Sequence, residues 1–195
     1  HETVSQRIEQ AANKGYDQLR KEHQEDYQKY FGRVSLQLTD KVPSIPTDKL
    51  LTEYKAGKTN AYLEELFFQY GRYLLISSSR TGSLPSNLQG AWSQYEVSPW
   101  SGGYWHNINV QMNYWPVFNT NLSDMFDSYM AYNEAFRKSA MQKATEYIKK
   151  NNPSALSKDG DNGWTIGTGA TAFGIEAPGK HSGPGTGGFT TKLFW

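Results

Sequence analysis

Apolar positions along this chain recur at helical spacing in several blocks, and the blocks are separated by long polar or glycine-rich stretches. From Thr3 to Tyr30 the chain is charged, with Val4, Ile8, Ala11, Tyr16, Leu19 and Tyr27 spaced for one or two amphipathic helices broken at Gly15. Val34 to Leu38 alternates apolar and polar, which predicts a short strand. After Pro43 and Pro46, Thr47 or Asp48 is placed to cap a short helix running to about Lys55. The strongest helical pattern lies between Thr59 and Ser77, where Tyr62, Leu63, Leu66, Phe67, Tyr70 and Leu74 share one face and Thr59 or Asn60 supplies the cap.

A loop from Ser78 to about Tyr104 follows, and its Leu84, Leu88, Trp92 and Trp100 argue for an ordered loop. A helix from about Ile108 towards Trp115 is expected to stop at Pro116, which cannot donate to the helical ladder. Trp92 and Trp115 are expected in the core. Ser123 is placed to cap a third strong helix that reaches about Lys149, with Asp124 in its first turn and basic residues at its end. Residues 151–163 read as surface loop, residues 163–188 are rich in Gly and Thr, and a last helix is expected to open near Gly188. No internal repeat is evident, so the expectation is a mostly helical domain with functional loops at one end.

Composition narrows the function. With 20 basic and 19 acidic side chains the formal net charge is +1, which gives no electrostatic case for nucleic acid or an anionic membrane. The longest apolar run, around Tyr73 to Ile76, is too short to span a bilayer. There is no cysteine, hence no disulfide and no thiolate metal site, a composition that fits an exported bacterial protein. The chain starts at His1 and stops at Trp195 within an apolar run, and it reads as a piece of a longer protein.

The densest chemistry lies in Trp105-His106-Asn107-Ile108-Asn109-Val110-Gln111-Met112-Asn113-Tyr114-Trp115-Pro116, where four amides and a histidine sit among three aromatics. Amides donate and accept hydrogen bonds without titrating, and aromatic faces suit apolar C–H surfaces. A ligand with many hydroxyls and C–H faces, a sugar, matches that mixture. Trp100 and Trp105 are candidate stacking residues. The plainer reading is that the Asn side chains cap and tie loops, and that the large aromatics pack. His106 has no suitably spaced second ligand, so neither metal nor cofactor is expected.

Three ordered motifs carry a resemblance. Tyr70-Gly71-Arg72-Tyr73-Leu74-Leu75-Ile76-Ser77-Ser78-Ser79-Arg80, Leu84-Pro85-Ser86-Asn87-Leu88-Gln89-Gly90, and Asn107-Ile108-Asn109 followed by Gln111-Met112-Asn113-Tyr114-Trp115-Pro116 closely resemble glycoside hydrolase family 95, whose members are inverting exo-enzymes, mainly α-L-fucosidases with some α-L-galactosidases. The resemblance implies an all-α fold, a partial (α/α)6 barrel preceded by linker helices and a short β segment. Residues 1–55 would be the linker and 56–195 the first part of the barrel. It implies that Asn107 and Asn109 help hold the hydrolytic water, while the family's general-acid Glu and its partner Asp lie beyond Trp195, so this chain alone is not expected to turn over. It also implies an oligosaccharide or glycoconjugate substrate, an extracellular location, and a remainder of the barrel supplied by the same protein or another chain.

An inverting glycosidase needs a water on the face opposite the leaving group, a base to activate it and an acid for the leaving oxygen. Two Asn residues two apart on a regular helix would diverge by roughly 200°. Both can reach one water only if the backbone is non-helical at Asn107, which is therefore expected. Two departures from the family pattern matter. Trp105 and His106 stand where the family commonly has His and Thr; His in the second position resembles members preferring L-galactose, whose extra hydroxyl favours a polar partner. Gly167, Gly169, Thr171 and Phe173 stand where the family usually places His, Asn, Asp and Trp, leaving Phe173 as a substrate-facing candidate and removing several polar groups. That loss keeps open a non-catalytic glycan-binding relative, or a hydrolase of the same barrel with another sugar. Glu176 is read as a surface residue, and residues 183–188 as a turn, because the Lys-Ser/Thr of a phosphate loop is missing.

Overall fold

The computed structural model describes residues 2–175 of the chain. The chain forms two compact units, one up to Ile76 and one from Ser77 onward. Glu176, the 183–188 turn and the helix expected near Gly188 lie outside the described residues.

In the first unit, α1 runs from Glu2 to Phe31 and is divided at Gly15, whose φ of 73° and ψ of 165° leave the helical region. Only glycine enters that backbone region without steric cost, so the sequence break and the structural break coincide. Helix α2 spans Thr47–Lys55 with Pro46 in the cap position, so neither Thr47 nor Asp48 caps it; both lie inside the first turn. Helix α3 spans Ala61–Ser78. Asn60 caps it, since its Oδ1 accepts from the Leu63 N–H at 2.9 Å.

The strand expected at Val34–Leu38 is not formed. Its alternation is real, with Val34 and Leu36 half-buried, but the Val34 carbonyl and the Leu38 N–H bond to side chains and the segment is not assigned to a strand. Arg72 Nη1 donates to the Val34 and Phe31 carbonyls, Nη2 donates to Tyr30 O, and the Leu38 N–H donates to Glu65 Oε2. A buried guanidinium with carbonyl partners thus ties the end of α1 to α3. Helix α3 is apolar on two sides: Leu63, Leu75 and Ile76 are buried, whereas Phe67 is 79% exposed and Tyr70 and Leu74 are exposed as well.

In the second unit, a 3-10 turn at Pro99–Gly102 leads into β1 (Tyr104–Trp105), then α4 (Asn109–Tyr114), a 3-10 turn at Ser123–Met125, α5 (Phe126–Asn151), a 3-10 turn at Pro153–Ala155, and β2 (Gly169–Ala170). The β segment therefore lies here: β1 and β2 pair antiparallel, Tyr104 opposite Ala170 and Trp105 opposite Gly169. Pro116 follows the end of α4, as expected. Ser123 opens a 3-10 turn without a side-chain cap, and α5 begins only at Phe126. The core gathers Val110, Tyr114, Val117, Leu122, Met125, Phe126, Tyr129 and Tyr132. Tyr114 and Phe126 both pack on Tyr129, with centroids 5.1 and 5.3 Å apart. Trp92 and Trp115, expected in the core, are 50% and 51% exposed. Smaller residues fill this core, and Trp115 falls past the last helical residue of α4, where its ring leaves the buried face.

Candidate functional site

The amide-rich run is built on the short ladder. The His106 N–H donates to Thr168 O at 2.7 Å, continuing the β1–β2 pairing by one residue. Gly103 packs tightly just before it: a Cβ there would lie 3.3 Å from Trp105 Nε1 and 3.4 Å from Trp100 O. Residues 106–108 form a turn, and Ile108, at φ −166° and ψ −36°, stands as the cap residue before α4 opens at Asn109. Asn107 thus sits in non-helical backbone and Asn109 is the first helical residue.

The amides of the run divide sharply in role. Gln111 is fully buried, and its Nε2 donates to the His106 carbonyl at 2.6 Å, closing the turn. Asn113 Nδ2 reaches the carbonyls of Ser86 and Asn87 at 3.3 and 3.4 Å, tying the 84–90 loop to α4. Asn107 and Asn109 are exposed, and neither side chain makes a hydrogen bond among the described residues. Tyr114, buried one turn further on, anchors the assembly: its hydroxyl lies 2.8 Å from Ser79 Oγ and 3.3 Å from Ser128 Oγ, and accepts the Ser86 N–H at 2.8 Å.

His106 turns the other way. It is 1% exposed, its Nδ1 lies 3.1 Å from Tyr104 O, and its ring lies parallel to that of Tyr132 at 5.7 Å. A carbonyl only accepts, so Nδ1 carries the proton and Nε2 is the bare nitrogen. Nε2 is buried without a hydrogen-bond partner among the described residues. Burial holds the imidazole neutral and lowers its pKa from 6.5 to about 4, a shift the Tyr104 carbonyl opposes. Burial likewise raises the Tyr132 phenol, whose hydroxyl donates to Thr171 O at 3.1 Å. The sign of the consequence is set by proton counts: between pH 6.5 and 4 the unfolded chain binds a proton at His106 that the folded one does not. Its contribution to stability is complete above pH 6.5 and is lost as the pH falls to 4. Urea unfolding of His106→Gln should accordingly show a shallower loss of stability than the parent across that window.

A cleft of about 230 Å³ opens beside His106, walled by Tyr132, Phe136, Trp164, Ile166 and Ile175, with Glu134 and Arg137 among its lining residues. Of the residues singled out by sequence, only His106 lines it. Trp105 is half-buried on β1, its Nε1 buried and without a hydrogen-bond partner among the described residues. Trp100 is exposed on its turn, and Phe173 is 95% exposed. The structure thus joins Asn107 and Asn109 at one helix entrance, sets His106 into a cleft against α5, and leaves Trp100 and Phe173 outside that cleft. Tyr132 escaped sequence reasoning because its helical spacing reads as ordinary packing. Among the described residues, no three His, Cys, Asp or Glu gather as a metal site, and no helix is long and apolar enough to cross a membrane.

The family model of the glycosyl hydrolase family 95 catalytic domain matches residues 15–195. The chain belongs to glycosyl hydrolase family 95. Curated relatives of this family 95 chain include the probable alpha-fucosidase A of Aspergillus niger, 45% identical over 131 residues that cover 66% of the chain and 16% of the relative. The probable alpha-fucosidase A of Aspergillus oryzae is 43% identical over 137 residues, 68% of the chain and 19% of that protein. Alpha-L-fucosidase 2 of Arabidopsis thaliana is 39% identical over 135 residues, 66% and 16%. The chain therefore spans less than a fifth of the length of these relatives. Among the described residues its helices, with one two-stranded segment, fit the α/α barrel that family 95 implies. These relatives are fungal and plant proteins and lend nothing to a bacterial source.

Proposed function

We propose that this chain is the first part of the catalytic barrel of an inverting exo-glycosidase that removes terminal α-linked L-fucose, or an L-galactose-like sugar, from oligosaccharides or glycoconjugates outside the cell. The observation that carries the reading is the division of the amide run. Gln111 and Asn113 spend their amides on the backbone, while Asn107 and Asn109 stay exposed with theirs available, at a non-helical entry where two residues two apart need not diverge. Those two are the positions the family resemblance assigns to the water. The names of the relatives, all alpha-fucosidases, support the sugar class.

In this reading Asn107 and Asn109 accept hydrogen bonds from one water and orient its lone pair at the anomeric carbon, opposite the leaving group. A carboxylate takes the water's proton and an acid protonates the leaving oxygen, the two roles that the family resemblance assigns to a Glu and an Asp of the family's later motifs. His106 stays neutral and buried behind the Asn turn, so its influence on the C6 substituent of the sugar runs through the shape of that turn and through Tyr132. Trp105 and Phe173 complete the candidate surface for the terminal sugar. The remainder of the barrel is the natural cover for exposed Phe67, Tyr70 and Leu74 in the first unit and for Met112, Trp115 and Phe118 in the second.

A second reading, a glycan-binding relative without turnover, is favoured by one observation. By the family resemblance, Gly167, Gly169 and Thr171 stand where polar residues are usual, and Phe173, standing where a Trp is usual, is left in solvent. Titrating the complete protein with L-fucose and L-galactose, then assaying α-L-fucosides and α-L-galactosides, separates the two. Turnover of either glycoside supports the enzyme; saturable binding with no turnover supports the binding relative.

A further inference from the structure

We propose that the Trp100 indole is the platform for the glycan on the leaving-group side of the scissile bond, beyond the terminal sugar. This rests on the glycosidase reading above. Trp100 has φ 51° and ψ 28°, Ser101 has φ 56° and ψ 24°, and Gly102 follows at φ 57°. Glycine enters this left-handed region freely, whereas a bulky aromatic there is an outlier. Packing does not offset the cost, because the indole is 73% exposed.

The turn is nevertheless held. The Ser101 N–H donates to Ser98 O at 2.9 Å, the Gly103 N–H to Trp100 O at 3.1 Å, and the Leu88 N–H to Gly103 O at 3.4 Å. Gly102 completes the turn at a φ of 57°, a region that glycine enters without strain. The surroundings therefore fix a strained backbone that presents a flat aromatic face outward. Strain of this kind persists where the neighbours over-determine it, and it gathers at sites that hold ligands. From Gly103 the chain runs directly through β1 to the turn at Asn107, so the platform and the water-holding amides share one short, hydrogen-bonded segment.

The exposure of the indole indicates which part of the ligand it meets. A sugar undergoing cleavage is enclosed, because hydrolysis at an exposed bond gains little from fixed dipoles. The rest of the glycan leaves towards solvent, and an outward indole offers its C–H faces a neutral, apolar surface.

The test uses the complete protein, with α-L-fucosyl fluoride, whose leaving group is too small to stack, and a trisaccharide ending in α-L-fucose. Trp100→Ala should raise KM for the trisaccharide by about tenfold, the order expected of one aromatic contact, with kcat little changed. Its kcat/KM on the fluoride and its unfolding midpoint should match the parent, and Trp100→Phe should restore most of the trisaccharide affinity. Equal losses on both substrates with a lowered midpoint would mean that the indole packs under the rest of the barrel, and no change on either would mean that it is idle; both overturn the proposal. A parent protein that cleaves neither fucoside refutes the glycosidase reading and, with it, the platform.

Discussion

Asn109→Ala in the complete protein should lower kcat on an α-L-fucoside by about 100- to 1,000-fold, the size seen when one fixed hydrogen-bonding group is removed from a reacting centre. Its unfolding midpoint should stay near that of the parent. Asn109 is exposed and its amide makes no hydrogen bond among the described residues, so truncation leaves no buried group orphaned. As the first residue of α4 it is replaced by a better helix former, which removes any excuse of local unfolding. Asn107→Ala should lose a comparable factor. The double variant should lose far less than the product of the two, because groups that hold one water act as a unit. Additive losses would show that the two amides serve different partners, and unchanged rates would remove both from the reaction.

The largest effect on stability is expected at Tyr114. Tyr114→Ala should cost about 3–5 kcal/mol, the usual price of deleting a buried aromatic ring. The ring is fully buried against Tyr129 and Phe126. Tyr114→Phe keeps the packing but withdraws the hydroxyl that accepts the Ser86 N–H and meets Ser79 and Ser128. Leaving such buried partners unsatisfied should cost about 1–3 kcal/mol. Denaturant unfolding of the parent and both variants reads these values. Since the hydroxyl holds Ser86, whose carbonyl binds Asn113 at 3.3 Å, Tyr114→Phe should also loosen the loop that Asn113 ties to α4. Faster amide exchange at Ser86 and Asn87 would report that loosening. If Tyr114→Phe is as stable as the parent, the hydroxyl cluster does not bear on the fold.

The helices were legible because their signals are local. Gly15 breaks α1, Asn60 caps α3, and Pro116 follows the end of α4, each through its own backbone chemistry. The strand expected at residues 34–38 failed because alternation records burial on one side and says nothing of a partner; Arg72 and Glu65 took the backbone groups instead. The pairing that did form, Tyr104 with Ala170, joins residues 66 positions apart and consists of two residues per strand, too short to leave a period. Trp92 and Trp115 were misplaced since aromatic residues look alike in sequence whether they fill a core or await a cover. The Asn turn was legible as an amide cluster, and its non-helical backbone followed once the role implied by the family resemblance required two residues two apart to reach one water. The division of labour within it was not, because it depends on carbonyls of Ser86, Asn87 and His106 that the fold brings within reach. Nor could sequence show that His106 faces Tyr132 and not the Asn side chains, a choice made by the alternation of β1.

The central claim, that Asn107 and Asn109 hold a water on the face opposite the leaving group, is tested most directly by the configuration of the first-formed product. Proton NMR of the complete protein acting on an α-L-fucoside should show β-L-fucose appearing first, with the α-anomer growing in only as the sugar mutarotates. First appearance of α-L-fucose would place the attacking water on the leaving-group side, or demand a covalent intermediate, and either result would contradict the role assigned to the two amides.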